Sequence, residues 1–391
     1  MSQSAFLIAV VSLQNLGFNL VHPVTPTFIG VMGMQDWIFG VSYAAMALTS
    51  FLFSKEAGEL CLRFESKAIF AVGCFGYAAM QLMFLASTNE SQVILWRLLS
   101  GFFVAMINVA SLVFLVKSSD EGDRARNLTY LATATAVTTA LGYTAGGLIG
   151  NSDYVRAFYS QTAVLVAAGL LLVMFGKRYG TEHLGLRRLV RDGNPLKLSS
   201  QDFHVRRRVV AYLSVVLISI SALTIYEQSL NYYLKDALGY TPADIGYLKG
   251  AIGVVTLVAN QLIALRLVRR AHLLRNIGIV FGFACVTNVL FTVMNMGPAF
   301  VACNLAFTIF NAMHLPMVQE LVTSASTEHQ GELVSLYNEM KSIGWVVGGL
   351  VAGVAYAAWP LLPFVITLLL FGGLMLMCLK GDQLQQRYRR D

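Results

Sequence analysis

Twelve apolar stretches follow one another along the chain, and they leave few folds open. They run roughly over residues 6–29, 37–54, 67–87, 91–116, 127–150, 156–176, 209–234, 243–265, 274–294, 298–319, 332–358 and 360–379. About 20 apolar residues wound as a helix cross the hydrocarbon core of a bilayer. The runs are continuous rather than alternating, which excludes a membrane barrel of strands. Only 13% of the 391 residues are charged and mean hydropathy is +0.63, so the polar surface is too small for a water-soluble fold of this size. The first run lacks a basic leading segment and a small-residue cleavage site, and is read as a retained helix. The expected fold is an all-α membrane protein with twelve transmembrane helices in two six-helix bundles.

Charge placement orients these spans. With the N-terminus inside, 23 of the 28 Lys and Arg residues fall in cytoplasmic segments and two, Arg156 and Lys235, fall outside. Arg97, Lys249 and Lys341 lie within spans. The net charge of +7 is thus assigned to loops facing anionic lipid, and nucleic acid is not an expected partner. Both termini are expected to be cytoplasmic, in the cell's inner (plasma) membrane. The expected organisation is an N-terminal bundle over 1–176, a cytoplasmic linker over 177–208, a C-terminal bundle over 209–379 and a tail over 380–391.

The five cysteines are scattered and show neither metal-ligand nor disulfide-framework spacing. No phosphate-binding glycine loop is present, and no nucleophile–base constellation suggests an enzyme. No cofactor and no metal are expected.

The two halves repeat. Gly142-Tyr-Thr-Ala-Gly146-Gly147-Leu148 in the fifth span recurs as Gly344-Trp-Val-Val-Gly348-Gly349-Leu350 in the eleventh, 202 residues later. Small residues four apart let helices approach closely, so chance and generic packing compete with duplication as explanations. Parallel six-span repeats are one transporter architecture.

At this point the chain resembles the major facilitator superfamily, and within it the twelve-span drug:proton antiporters. Leu16-Gly17-Phe-Asn19-Leu-Val-His22-Pro23-Val-Thr-Pro26 is similar to the antiporters' G-x-x-x-x-x-P-x-x-P signature. The loop from Gly58 to Lys67 resembles the family's G-x-L-a-D-r-x-G-r-k loop at Gly58, Leu60, Arg63 and Lys67, with Leu62 in place of the acid and Glu65 in place of the second glycine. Arg97 and Gly101 match the family's fourth span, and Gly142 to Gly147 matches G-P-x-x-G-G with Tyr143 in place of proline. The resemblance implies alternating access, a proton-transfer role for Arg97, and gating roles for Gly58, Arg63, Lys67 and the glycines Gly142, Gly146, Gly147, Gly344, Gly348 and Gly349.

Polar residues inside spans point the same way, because a polar group facing lipid is costly. Asn15, Asn19 and His22 share one face of the first span. Arg97, Gly101, Val104, Asn108 and Ser111 share one on the fourth. Ser221, Thr224, Gln228 and Asn231 do so on the seventh, and Asn304, Thr308, Asn311 and His314 on the tenth. These four helices are expected to line a polar substrate cavity. Glu227 and Glu339 are the acids expected to sit well inside apolar runs, and Glu227 is the first choice for proton coupling. A structural ion pair of Glu227 with Lys249 is the competing reading. Glu339 and Lys341, two residues apart, cannot share a helix face; one closes an inner gate, or both snorkel to the interface. Arg97 has an alternative as a helix–helix anchor. His22 and His314 either titrate or bond carbonyls freed at prolines, and Pro23 and Pro316 are expected to kink their helices.

The expected function is proton-coupled efflux of small amphipathic or cationic organic compounds by a monomer, with substrate, protons and membrane lipid as partners. A permease for a defined polar metabolite is one alternative, and a non-transporting sensor or assembly subunit another.

Overall fold

The computed structural model describes residues 2–179, 207–259, 272–293, 297–325 and 330–387. The expected linker over 177–208 lies almost wholly outside the described residues, as does the end of the tail. Among the described residues there are thirteen α-helices and no strand. They are α1 (Gln3–Asn19), α2 (Thr25–Val31), α3 (Ile38–Arg63), α4 (Ser66–Leu85), α5 (Glu90–Ser118), α6 (Arg124–Gly150), α7 (Tyr154–Phe175), α8 (Arg207–Asp236), α9 (Pro242–Ala259), α10 (Leu273–Val293), α11 (Gly297–Thr323), α12 (Gln330–Ala358) and α13 (Leu362–Arg387).

Ten of these helices are long and apolar enough to cross a membrane. The two remaining crossings depart from that simple pattern for visible reasons. The first is divided: α1 stops at Asn19 and α2 starts at Thr25. Pro23 and Pro26 lack the N–H groups that would continue the helical ladder. The fifth, α6, carries six threonines and four glycines, which lower its hydropathy. The break in the first crossing differs from the single long span expected over 6–29. By contrast α11 runs through Pro316 as one helix.

Non-helical backbone at membrane depth needs partners inside the protein. Gln161 on α7 supplies them, its Nε2 donating to the carbonyls of Gly17 at 3.1 Å and Phe18 at 2.9 Å. The Thr25 hydroxyl takes the Val21 carbonyl at 2.9 Å. Several helix starts are fixed by side-chain caps. Asn89 accepts from Gln92 N at the start of α5, and Asp153 from Val155 N at the start of α7. Thr241 and Asp244 form a reciprocal box at the start of α9. Gly239, at φ +66°, makes the left-handed turn before it.

The helices gather into two compact units. The first holds α1–α7 together with residues Leu234–Gly250, which include the first half of α9. The second holds α8 up to Tyr233, the chain from Ala251, and α10–α13. In the first unit α3 and α4 pack on α5, α4 on α7, and α1 on α6 and α7. In the second, α10 packs on α11 and α13.

Glycines set the closest approaches. A Cβ at Gly142 would lie 2.6 Å from the Leu16 carbonyl oxygen, and one at Gly146 would fall on the backbone of Leu20, so this face of α6 lies against α1. The repeat mates behave alike in the second unit. A Cβ at Gly344 would lie 2.9 Å from the Ile220 side chain, and one at Gly348 would lie 2.7 Å from the Ser221 carbonyl oxygen. Ser221 stands 202 positions after Asn19, the same offset that relates the two glycine motifs. Another face of α6 meets α9: a Cβ at Gly147 would lie 2.9 Å from Gly246 Cα, and the Thr144 hydroxyl donates to the Gly246 carbonyl at 3.2 Å.

Candidate functional site

In the first unit the polar residues of α1 turn toward α6. Asn15 Nδ2 donates to the Thr135 carbonyl at 2.8 Å and approaches the hydroxyls of Thr138 at 3.1 Å and Thr139 at 2.8 Å. Asn19 Nδ2 donates to the Asn15 carbonyl at 2.7 Å. These amides knit α1 to α6 through the part of α6 where threonine is densest. His22 sits in the break after α1, half-buried. Its ring stacks on Tyr143, with centroids 5.3 Å apart and planes 15° off parallel.

From His22 a run of rings leads into the bundle. Phe18 lies 5.6 Å from His22 and stacks on Tyr77 at 5.0 Å. The Tyr77 hydroxyl accepts a hydrogen bond from Gln81 and also interacts with the Arg97 guanidinium. Arg97 is 6% exposed. Its guanidinium carbon lies 4.2 Å over the Phe84 ring, and Nη1 faces the Met46 sulfur at 3.8 Å. Its Nε is buried without a hydrogen-bond partner among the described residues. At the other end of the run, Lys249 Nζ lies 5.9 Å over the Tyr143 ring. Two cations thus flank one aromatic chain, each against a ring face, where the π quadrupole attracts positive charge.

Other expected residues of this unit lie elsewhere. Asn108 is exposed on α5. Gly101, on the Arg97 face, packs against α3, where its Cβ would lie 2.8 Å from Thr49 Cβ. A Cβ at Gly58 would lie 3.9 Å from the Val109 side chain of α5. Lys67 caps the C-terminal end of α7, donating to the Gly176 carbonyl at 2.8 Å and the Val173 carbonyl at 3.3 Å. A cation there complements the helix dipole. Glu65 lies 3.9 Å from Lys67 and 3.4 Å from Arg178, and Arg63 is half-buried at the end of α3.

In the second unit Asn304 is 1% exposed and fully engaged. It accepts from the Tyr226 hydroxyl at 2.8 Å and donates to the Phe300 carbonyl at 3.0 Å, tying α8 to α11. Tyr226 stacks on Phe307 with centroids 3.8 Å apart. His314 is completely buried and lies parallel to Phe310 at 4.9 Å, near Phe281. Thr224 bonds back to the Ile220 carbonyl and presents its Cβ to Gly348. Glu227 and Gln228 are half-buried on α8, and the Asn231 side-chain oxygen is buried without a hydrogen-bond partner among the described residues. The side chain of Asn311 lies outside the described residues.

On α12, Glu339 Oε1 accepts from the Ser335 hydroxyl at 3.4 Å, while Oε2 is buried without a hydrogen-bond partner among the described residues. Lys341 lies 4.9 Å over the Trp345 ring. Gly344, Gly348 and Gly349 are all buried.

Three residues organise these surroundings without having been singled out by the sequence. Gln161 and Gln81 are lone amides in otherwise apolar spans, which is a faint but real signal. Tyr226 gave none, since a tyrosine in an apolar run reads equally well as packing.

Many crossing helices, a repeated glycine crossing in each half and charged groups held inside the bundles define a multi-pass membrane transporter. Residues 2–349 match the family model of the Major Facilitator Superfamily, and the chain belongs to that family. It is 22% identical over 356 residues to "Multidrug resistance protein 2" of Bacillus subtilis (strain 168), covering 90% of this chain and 88% of that one. It is 22% identical over 344 residues to "Quinolone resistance protein NorA" of Staphylococcus aureus (strain MSSA476), covering 87% and 86%. The crystal structure of a bacterial homologue of the iron transporter ferroportin shares the fold, with a TM-score of 0.73 at 15% identity over 97% of this chain and 98% of that one. The protein is accordingly a transporter of small molecules and not an enzyme.

Proposed function

We propose that the chain exports small amphipathic or cationic organic compounds in exchange for protons, by alternating access, as a monomer in the plasma membrane with both termini cytoplasmic. The names of the multidrug and quinolone resistance relatives support export of organic compounds. The observation that carries proton coupling is Glu227. It is half-buried on α8, a helix long and apolar enough to cross a membrane, next to the buried Tyr226. A carboxylate in such surroundings is costly to keep ionised, and that cost drives proton uptake. Proton and substrate then occupy the site in alternation, and coupling requires each to prefer a different state of the carrier. Each proton exchanged across a gradient of one pH unit supplies about 1.4 kcal/mol, enough for about tenfold accumulation of a neutral compound. The engaged amides of Asn15, Asn19 and Asn304 weigh against a cavity built for one defined polar metabolite, since their hydrogen bonds are already made within the protein.

The test is uptake of tetraphenylphosphonium into inverted vesicles carrying an imposed proton gradient. Uptake is expected to rise with lumenal acidity, and Glu227→Gln is expected to remove that dependence. Uptake indifferent to the gradient in the unaltered protein would refute the exchange mechanism.

A further inference from the structure

Arg97 is unusual among the buried polar groups of the first unit. It is 6% exposed, and the groups that meet its guanidinium among the described residues are electrically neutral: the Tyr77 phenol, the Met46 thioether and the face of the Phe84 ring. None of the ion pairs among the described residues involves it. A guanidinium stays protonated throughout the physiological range, and leaving its charge uncompensated in a low-dielectric interior costs several kcal/mol. A purely structural arginine would have its N–H groups matched to acceptors of its own bundle; here Nε is buried and unmatched.

No acid of α1–α7 is at its level. Met46 and Arg97 face each other, and Glu56 follows Met46 by ten residues on the same helix, about 15 Å further along the axis. Glu90 precedes Arg97 by seven residues, about 10 Å away along α5, and is engaged with the Gln35 backbone N–H at 3.3 Å. The remaining acids of α1–α7 lie in loops or at helix ends. Lys249, half-buried on α9, adds positive potential at the far end of the aromatic run.

The geometry points to Arg97 as a binding site for the anionic group of the transported compound, a carboxylate attached to an aromatic or otherwise apolar body. The unmatched Nε–H and a neighbouring Nη–H form the edge of the guanidinium fork that takes both oxygens of a carboxylate. Phe84, Tyr77 and Phe18 make its surroundings aromatic, Phe84 and Tyr77 being buried and Phe18 half-buried, so the apolar body is expected to pack against Phe18. This assignment rests on the export reading above and extends its substrates to compounds that carry a negative group, with or without a cationic centre.

The experiment uses the full-length protein purified in detergent and a matched probe pair, 2-naphthoate and 2-naphthamide, with binding read by the shift in thermal unfolding midpoint. The naphthoate is expected to bind about tenfold or more tightly than the amide. Arg97→Gln is expected to reduce that preference to less than about threefold. Arg97→Lys, which keeps the charge but loses the fork, should fall between. If Arg97→Gln does not fold, the wild-type preference and the Arg97→Lys value still decide. Equal binding of the two probes by the wild type, or an unchanged preference in either variant, would overturn the assignment. A chloride titration separates the sources of negative charge: chloride displacing naphthoate at equal or lower concentration would make this an inorganic-ion site and overturn the substrate-group assignment. Gradient-driven uptake of tetraphenylphosphonium, measured in parallel, keeps the two readings apart. Uptake without naphthoate preference sinks the Arg97 site alone, whereas gradient-independent uptake sinks the exchange mechanism.

Discussion

Gly146 offers the sharpest test of how the first unit is held together. Replacing it by alanine adds one methyl group to a helix interior, which on an isolated helix stabilises by about 1 kcal/mol. Here the added carbon would fall on the Leu20 backbone, at the end of α1 where the chain has just left the helix. At the neighbouring Gly142 the equivalent carbon would lie 2.6 Å from the Leu16 carbonyl oxygen and 2.8 Å from Asn19 Cβ, and at Gly146 it would be closer still. Both obstacles are largely backbone, which cannot rotate aside, so α1 and α6 must part. Overpacking of this kind costs about 1–3 kcal/mol. Parting also stretches the three Asn15 contacts to Thr135, Thr138 and Thr139, each worth about 0.6 kcal/mol in a membrane protein. Set against the helix-propensity gain, the net expected loss is about 2–4 kcal/mol. Gly373→Ala is the control, since nothing lies within 4 Å of its added carbon, and it should be neutral or stabilising by up to about 1 kcal/mol. Reversible unfolding of the purified protein in mixed micelles, followed by far-ultraviolet circular dichroism, gives both values. If Gly146→Ala unfolds no more easily than Gly373→Ala, the close crossing of α1 and α6 is not what secures this unit.

Gln161→Leu removes both donors to the carbonyls of Gly17 and Phe18, and is expected to cost about 1–3 kcal/mol. Amide deuterium exchange should accelerate over residues 20–24; unchanged exchange there would count against the capping role. For the Tyr226–Asn304 bond, Tyr226→Phe and Asn304→Ala should be non-additive, with a coupling of about 0.6–1.7 kcal/mol in a double-mutant cycle. Strict additivity would mean the bond ties nothing.

The sequence carried the helical architecture because hydropathy and period are one-dimensional signals. The repeat of Gly142 and Gly146 as Gly344 and Gly348 was legible as spacing, and each pair lies at a close helix crossing within its own unit. The division of the first crossing was half legible, since Pro23 and Pro26 were visible but Gln161, which makes the gap tolerable, lies more than a hundred residues away. Faces were readable and their partners were not. Asn15 and Asn304 were placed on polar stripes, yet whether a stripe meets solvent or a neighbouring helix depends on how helices are rotated against one another. The threonines that receive Asn15 and the tyrosine that serves Asn304 belong to other helices, and no local pattern pairs them. Arg97 shows the same limit: its charge was plain in the sequence, whereas its neutral company emerges only from packing.

The glycines of α6 restrict how that helix can behave. Gly142 and Gly146 press one side against α1, and Gly147, a single residue on, presses another against the start of α9. Consecutive residues point about 100° apart, so the bare sides are neighbouring sectors of one cylinder. A swivel of that size would swing Leu141 and Leu148 into gaps with room only for hydrogen atoms. Torsion of α6 about its own axis is therefore locked, and any rearrangement must either carry the first crossing and the α9 start along with it or detach cleanly from one of them.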